Sequence, residues 1–164
     1  MDKTSYARIA ALSVSVVIVV GSVLPLPLEE LGLTRTSPFW TRLLYPLLHA
    51  TALHALVNAW CLLVIFFRYP VTLGDLLWSI LVSVLLPSAC LTHQPTVGLS
   101  VAIYFLFGRI TWMTQRRLQF VVWLLFYLAI GYLLPAINAW AHLWGCALGL
   151  VYGLLNTPVS WIRR

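Results

Sequence analysis

The chain has 164 residues, of which 62% are hydrophobic and only 9% are charged. A soluble domain is typically about half apolar and about a quarter charged, so this composition excludes a soluble globular fold, and it equally excludes disorder, which needs low hydrophobicity. The net charge of +6 does not indicate nucleic-acid binding, because the basic residues are scattered between apolar runs and form no stripe. We therefore predict one membrane domain over residues 1–164, in contact with the lipid bilayer.

Apolar runs separated by Pro, Gly and Arg predict six membrane-spanning helices, over residues 9–24, 50–67, 76–91, 98–112, 118–134 and 139–155. A lipid-crossing helix needs about 20 residues. The first run follows a basic start, and no Ala-x-Ala-like cleavage site follows it, so we interpret it as an uncleaved anchor. The fourth run is short, because its strongly apolar part ends near Gly108. Either its helix continues through Met113, or it begins below the membrane surface in a water-filled cavity.

The distribution of basic residues predicts the topology. With the N-terminus in the cytoplasm, only Arg35 and Arg42 lie outside, whereas eight basic residues lie inside: Lys3, Arg8, Arg68, Arg109, Arg116, Arg117, Arg163 and Arg164. This bias obeys the positive-inside rule. We therefore expect both termini to be cytoplasmic and residues 25–48 to form an outer loop that lies in the membrane interface.

Polar residues within predicted spans are costly and indicate functional sites. His54 and Asn58 are four residues apart, so they share one face of the second span. They either hold the bundle together through interhelical hydrogen bonds or place two donors in a polar cavity. His49 precedes His54 by five residues, about 500° around a helix, so we expect it to point elsewhere and to order the loop before the span.

Ser100 stands at the start of the short fourth span. Membrane serines usually bond to their own backbone, but a helix N-terminus also offers free N–H groups. Gly98 permits close backbone approach, and such donors suit a developing oxyanion. Tyr104 is four residues further on the same face, where its ring would flank a partner.

His142 shares a helix face with a stripe of glycines, Gly145, Gly149 and Gly153. Such a stripe lets two helices pack backbone to backbone, and the short fourth span is a candidate neighbour. Taken alone, His142 is also compatible with a buried histidine that only makes a structural hydrogen bond.

Span counting places His54, Ser100 and His142 at similar depth near the outer surface, which indicates one shared site. A serine needs a base to take its proton, and His142 can do this and then protonate the leaving amine. We therefore predict a Ser100–His142 dyad, with an oxyanion hole formed by His54, Asn58 and the Ser100 N–H.

A catalytic triad would also need a carboxylate to orient the histidine. The acidic residues are Asp2, Glu29, Glu30 and Asp75, and none is predicted to lie near His142. Packing of Tyr104 would therefore replace the acid. The zinc-protease pattern His-Glu-x-x-His is missing from the sequence, and the histidines do not share a helix face with metal-binding partners, so we expect neither a metal nor another cofactor.

These motifs, in this order, resemble the rhomboid family of intramembrane serine proteases. The resemblance covers about residues 40–153 and rests on four stretches: residues 40–49, His54-x-x-x-Asn58, Gly98-x-Ser100 with Tyr104, and Ala141-His142-x-x-Gly145-x-x-x-Gly149.

The resemblance implies an all-α polytopic bundle of six transmembrane helices that cleaves transmembrane segments of single-pass membrane proteins without metal or nucleotide. It gives Ser100 as nucleophile, His142 as base, and His54 and Asn58 as oxyanion donors. The other matching positions are the stacking ring Tyr104 and the loop-ordering residues Arg42 and His49.

The short chain resembles a small bacterial member of the family, located in the inner (cytoplasmic) membrane. It departs from many members at Val101, where they have Gly, and this residue is expected to crowd the nucleophile and narrow substrate choice. Processing of C-terminal anchor tags, as in rhombosortases, and client binding by a catalytically silent relative stay open as alternatives. A transporter fits poorly, because no pair of half-helices is present.

Overall fold

The computed structural model describes residues 3–92 and 94–158 of the chain. Regular structure in this part is helical apart from one isolated antiparallel bridge between Leu33 and Thr96, so the predicted all-α class is confirmed. The helices are α1 Lys3–Gly21, α2 Leu28–Leu31, α3 Thr41–Leu44, α4 Ala52–Arg68, α5 Leu73–Val84, α6 Ser100–Thr111, α7 Arg117–Leu133 and α8 Ala139–Asn156, with a 3₁₀ turn at Ser88–Cys90. Asp2, Arg163 and Arg164, which the sequence analysis used, lie outside the described residues.

The bounds of α4, α6, α7 and α8 agree with the predicted spans to within two residues. The third span, predicted over 76–91, is wrong at both ends. Helix α5 begins earlier because Thr72 caps it: its hydroxyl accepts from the Asp75 N–H, and the Asp75 carboxylate accepts from the Thr72 N–H. The helix ends at Val84, ahead of Pro87, which has no N–H to continue it. Helix α1 also starts earlier than residue 9, since polar residues near the N-terminus join it.

Among the described helices, one segment, Thr4–Gly21, is long and apolar enough to cross a membrane by length and composition alone. Shorter apolar helices are formed by Ala52–Arg68, Leu73–Val84, Ser100–Thr111 and Arg117–Leu133. The six-span topology therefore stays a prediction.

Helix α6 lies at the centre of the bundle. It contacts α4, α5, α7 and, most extensively, α8, while α1 packs on α4 and α5. Nine of its 12 residues are buried. At 1.5 Å per residue it is about 18 Å long, well short of the roughly 30 Å of a bilayer core. The helix continues three residues beyond Gly108 and ends at Thr111, short of Met113, so α6 is a short central helix.

Glycines allow α6 and α8 to touch through their backbones. A Cβ on Gly145 would overlap the carbonyl oxygen of Val101, and a Cβ on Gly149 would overlap that of Phe105. From the α6 side, a Cβ on Gly108 would lie 2.6 Å from the Leu150 nitrogen. The stripe on α8 therefore packs on the fourth predicted span, the neighbour that its spacing indicates.

A buried ion pair joins α5 and α6 at the opposite end of α6 from Ser100. The Arg109 Nε donates to the Asp75 carboxylate over 3.0 Å, and both side chains are buried. Arg109 also donates to the Thr157 hydroxyl just after α8 and lies 5.8 Å from the centroid of the Tyr152 ring. From the sequence alone, Arg109 is predicted only to be a cytoplasmic charge. In the structure it ties together α5, α6 and the end of α8.

Substitution Gly145→Ala tests the backbone contact between α6 and α8. The added methyl must displace the Val101 carbonyl, so we expect a loss of about 1–3 kcal/mol in the free energy of unfolding, measured by denaturant titration in detergent micelles. Gly21→Ala is the matched control, because its Cβ meets nothing within 4 Å. Equal stabilities of the two variants would contradict the packing.

Substitution Asp75→Ala tests the buried ion pair. Removing the carboxylate leaves Arg109 buried without its counter-charge, so we expect a loss of about 3–5 kcal/mol in the free energy of unfolding. Thr72→Ala is the control, since it removes the cap of α5 and keeps the ion pair. Loss of the cap is expected to lower the free energy of unfolding by about 1 kcal/mol. A loss for Asp75→Ala no larger than that for Thr72→Ala would mean that the pair contributes nothing.

Candidate active site

Helices α6 and α8 bring Ser100 and His142 together. Ser100 is the first residue of α6, and His142 lies in the first turn of α8. The Ser100 Oγ is 2.8 Å from the Nε2 of His142, within hydrogen-bond distance. These two residues, predicted from the sequence to share a site, are in direct contact.

The imidazole of His142 is held by a ring rather than by an acid. Tyr104, one turn after Ser100 on α6, stacks on it with the ring centroids 4.3 Å apart and the planes 13° from parallel. The Nδ1 of His142 is buried and has no hydrogen-bond partner among the residues that the structure describes. The orientation of this histidine therefore depends on the Tyr104 ring and on the position of α8 itself.

The segment that leads into α6 is fixed by backbone hydrogen bonds. Thr96 exchanges two bonds of 2.9 Å with Leu33, and the Gly98 N–H donates to the Tyr45 carbonyl over 2.9 Å. Gly98 has a φ of 115°, a conformation that residues with a Cβ rarely adopt. Tyr45 is itself buried, and its hydroxyl donates to the Ser83 carbonyl over 2.7 Å. The loop between α1 and α4 thus sets where α6, and with it Ser100, begins.

The prediction that His49 points away from His54 is wrong. Their ring centroids are 4.8 Å apart in an edge-on arrangement. Helix α4 begins only at Ala52, so helical spacing does not apply to His49. Burial, with the neighbouring His54 imidazole, lowers the pKa of His49 to about 4, which keeps the ring neutral at pH 7. Its Nε2 then accepts from the Leu99 N–H over 3.4 Å, and His49 orders the segment before Ser100.

His54 and Asn58 share one face of α4, but their side chains are engaged differently. Thr51 caps the helix by accepting from the His54 N–H. A Cβ on Gly98 would lie 2.9 Å from the Nε2 of His54, so this imidazole lies directly against the segment before Ser100. Asn58 is buried, and its Nδ2 donates back to the His54 carbonyl over 2.9 Å. One N–H of its amide is thereby used within α4.

Val101, the residue after Ser100, is buried away from solvent in a small apolar cluster. The buried members of this cluster are Leu33, Tyr45, Leu86, Leu91, Val101 and Ala141. The Cγ1 of Val101 would be 3.3 Å from a Cβ on Gly145. The Val101 side chain thus fills the contact between α6, α8 and the loop between α1 and α4, and its effect on substrate choice stays a prediction.

Asn138 and Thr96 form a polar pair beside the site that was not predicted from the sequence. Asn138 caps α8, accepting from the Ala141 N–H over 3.1 Å, and its Nδ2 donates to the Thr96 hydroxyl over 2.9 Å. An Asn followed by an apolar helix is a cap signal and could have been recognised. The contact between Asn138 and Thr96 could not have been recognised, because it joins two irregular segments.

The chain matches the family model of the Rhomboid domain over residues 36–158. This region is more than half of the chain and contains all the candidate site residues, so the protein belongs to the rhomboid family. Neither a curated protein nor a solved structure matches the chain. Rhomboid proteins are integral membrane proteins and generally intramembrane serine proteases, although inactive members exist.

Substitution Gly98→Ala tests the contact between Gly98 and His54. The methyl would lie 2.7 Å from the His54 Cε1, on a backbone with a φ of 115°. We expect a loss of about 1–3 kcal/mol in the free energy of unfolding, measured in detergent micelles. Gly74→Ala, whose Cβ would make only an ordinary contact of 3.4 Å, is the control. Wild-type stability of Gly98→Ala would contradict this geometry.

Proposed function

We propose that the protein is an intramembrane serine endopeptidase that cleaves transmembrane segments of single-pass membrane proteins. The observation that carries this proposal is the 2.8 Å contact between the Ser100 Oγ and the His142 Nε2, with the imidazole stacked on Tyr104. A nucleophile in hydrogen-bond contact with an oriented base is the signature of covalent catalysis.

In the proposed reaction the Ser100 hydroxyl donates its hydrogen bond to the Nε2 of a neutral His142. The imidazole takes the proton as the Oγ attacks the scissile carbonyl carbon, and the protonated ring then donates to the leaving amine nitrogen. Water hydrolyses the resulting acyl-enzyme, with His142 again acting as base. These steps use groups of this chain, the substrate and one water molecule, without a cofactor.

The negative charge that develops on the carbonyl oxygen needs hydrogen-bond donors. We assign this role to the Ser100 N–H, to His54 and to Asn58. Ser100 is the first residue of α6, so its N–H has no partner within the helix. The His54 ring lies against Gly98. The Asn58 amide has two N–H donors and uses one on the His54 carbonyl, which leaves the second for the substrate oxygen.

We also propose the six-span topology with both termini in the cytoplasm of a bacterial inner membrane. It is supported by the positive-inside bias and by six apolar helices, α1 and α4–α8. In this orientation Ser100 and His142 lie towards the outer surface. The ion pair between Asp75 and Arg109 then lies towards the cytoplasm.

Client binding by a catalytically silent rhomboid is the alternative function, and labelling with a fluorophosphonate serine probe distinguishes the two. We expect the purified protein in detergent to be labelled, Ser100→Ala to be unlabelled, and His142→Ala to react about 10²–10⁴-fold more slowly, because it lacks the base. Ser88→Ala, at an exposed serine, is the control and should label like the wild type.

The outcomes of the labelling experiment distinguish the protease from the catalytically silent client binder. Labelling that persists in Ser100→Ala would show that the reactive serine is elsewhere. Failure of a folded wild type to react with the probe and to cleave single-pass substrates in liposomes would overturn the protease and leave the silent binder.

A further inference from the structure

A second hydrogen bond joins the same two chain segments as the catalytic pair. The Asn138 Nδ2 donates to the Thr96 Oγ1 over 2.9 Å, beside the 2.8 Å contact between Ser100 and His142. Thr96 precedes Ser100 by four residues, and Asn138 precedes His142 by four, so both pairs are separated by 42 residues along the chain. The Thr96–Asn138 bond therefore joins the same two segments in the same register as the Ser100–His142 contact, just before the two helices begin.

Each partner in this bond is tied to the catalytic residue that follows it. Asn138 caps α8 through its side chain, and its carbonyl accepts from the His142 N–H over 3.2 Å. Thr96 is paired in both directions with the Leu33 backbone, and the next residues reach Ser100 through the constrained turn at Gly98. A shift of either segment would thus move one member of the dyad.

This coupling matters because none of the acidic residues that the structure describes orients the catalytic histidine. The Nδ1 of His142 has no partner in the described part of the chain, and Tyr104 belongs to α6 rather than to α8. The stack restrains the tilt of the imidazole but does not by itself fix the position of the start of α8 along the ring face. A bond between the start of α8 and the segment before α6 opposes that shift.

We propose that Thr96 and Asn138 are positioning residues, whose hydrogen bond holds α8 in the register that keeps the His142 Nε2 within reach of the Ser100 Oγ. This inference rests on the proposed function and adds to it two residues outside the catalytic and oxyanion-binding groups. Neither residue touches the substrate in this account; both act through the geometry of the dyad.

Substitutions that remove only this bond test the inference. Thr96→Val keeps the side-chain shape and removes the hydroxyl. Asn138→Ser keeps a helix-capping oxygen and is too short to reach Thr96. Thr96→Ser retains the hydroxyl and is the matched control. We measure the rate constant of fluorophosphonate labelling for the folded protein, together with the midpoint of unfolding of each variant.

We expect labelling by Thr96→Val and Asn138→Ser to slow by about ten- to a hundredfold, the scale of a misplacement of about 1 Å, and Thr96→Ser to stay close to the wild type. The double variant Thr96→Val/Asn138→Ser should be no slower than either single variant, because both remove the same contact. A lower unfolding midpoint with wild-type labelling rates would show a merely structural role and overturn the inference.

A spectroscopic measurement separates failure of this inference from failure of the proposed function. The ¹⁵N NMR signal of the His142 Nε2, assigned by its loss in His142→Ala, reports the hydrogen bond to Ser100 even in a protein that does not react with the probe. We expect Thr96→Val to move this signal towards its position in Ser100→Ala. An unmoved signal would overturn the positioning role. An unreactive wild type in which the signal still moves would overturn only the protease.

Discussion

The contact between α6 and α8 is the feature on which the rest of the molecule depends. In a membrane, association of helices gains little from the hydrophobic effect, because lipid is as apolar as the helix surface, and close van der Waals packing must take its place. Gly145 and Gly149 supply that packing by letting α8 approach the carbonyls of Val101 and Phe105. Ser100 at the start of α6 meets His142 only because the two backbones run so close together.

Polar contacts tie this helix pair at both ends. At the Ser100 end, Asn138 reaches the segment before α6. At the opposite end, Arg109 of α6 bonds to Thr157 after α8 and to Asp75 of α5. These hydrogen bonds add directional contacts to the glycine packing, and loss of either partner of the buried ion pair would leave an unpaired charge away from water.

Sequence patterns predicted the parts of the site that lie on regular helices. The spacing of four between Ser100 and Tyr104 and the four-residue repeat of glycines each define one helix face. Span counting and charge bias predict a common depth for the helix ends, which stays a prediction. Contacts made by irregular segments could not be predicted, because these segments have no periodicity. His49, for example, precedes α4, so helical spacing does not give its orientation. The partners Asp75 and Arg109 are 34 residues apart along the chain. Their pairing depends on how α5 packs on α6, and this packing cannot be predicted from composition.

The Nδ1 of His142 has no hydrogen-bond partner within residues 3–92 and 94–158, and this has an electrostatic consequence. An orienting carboxylate would place a permanent anion in a medium of low polarity, at a cost of several kcal/mol unless it were fully paired. In the proposed reaction the resting dyad is neutral, and the imidazolium and the oxyanion arise together and vanish together. Each stage between substrate binding and amine release is electroneutral, so a hydrophobic segment that enters from lipid meets no fixed charge in the dyad. Aromatic stacking by Tyr104 thus orients the base without adding an ion.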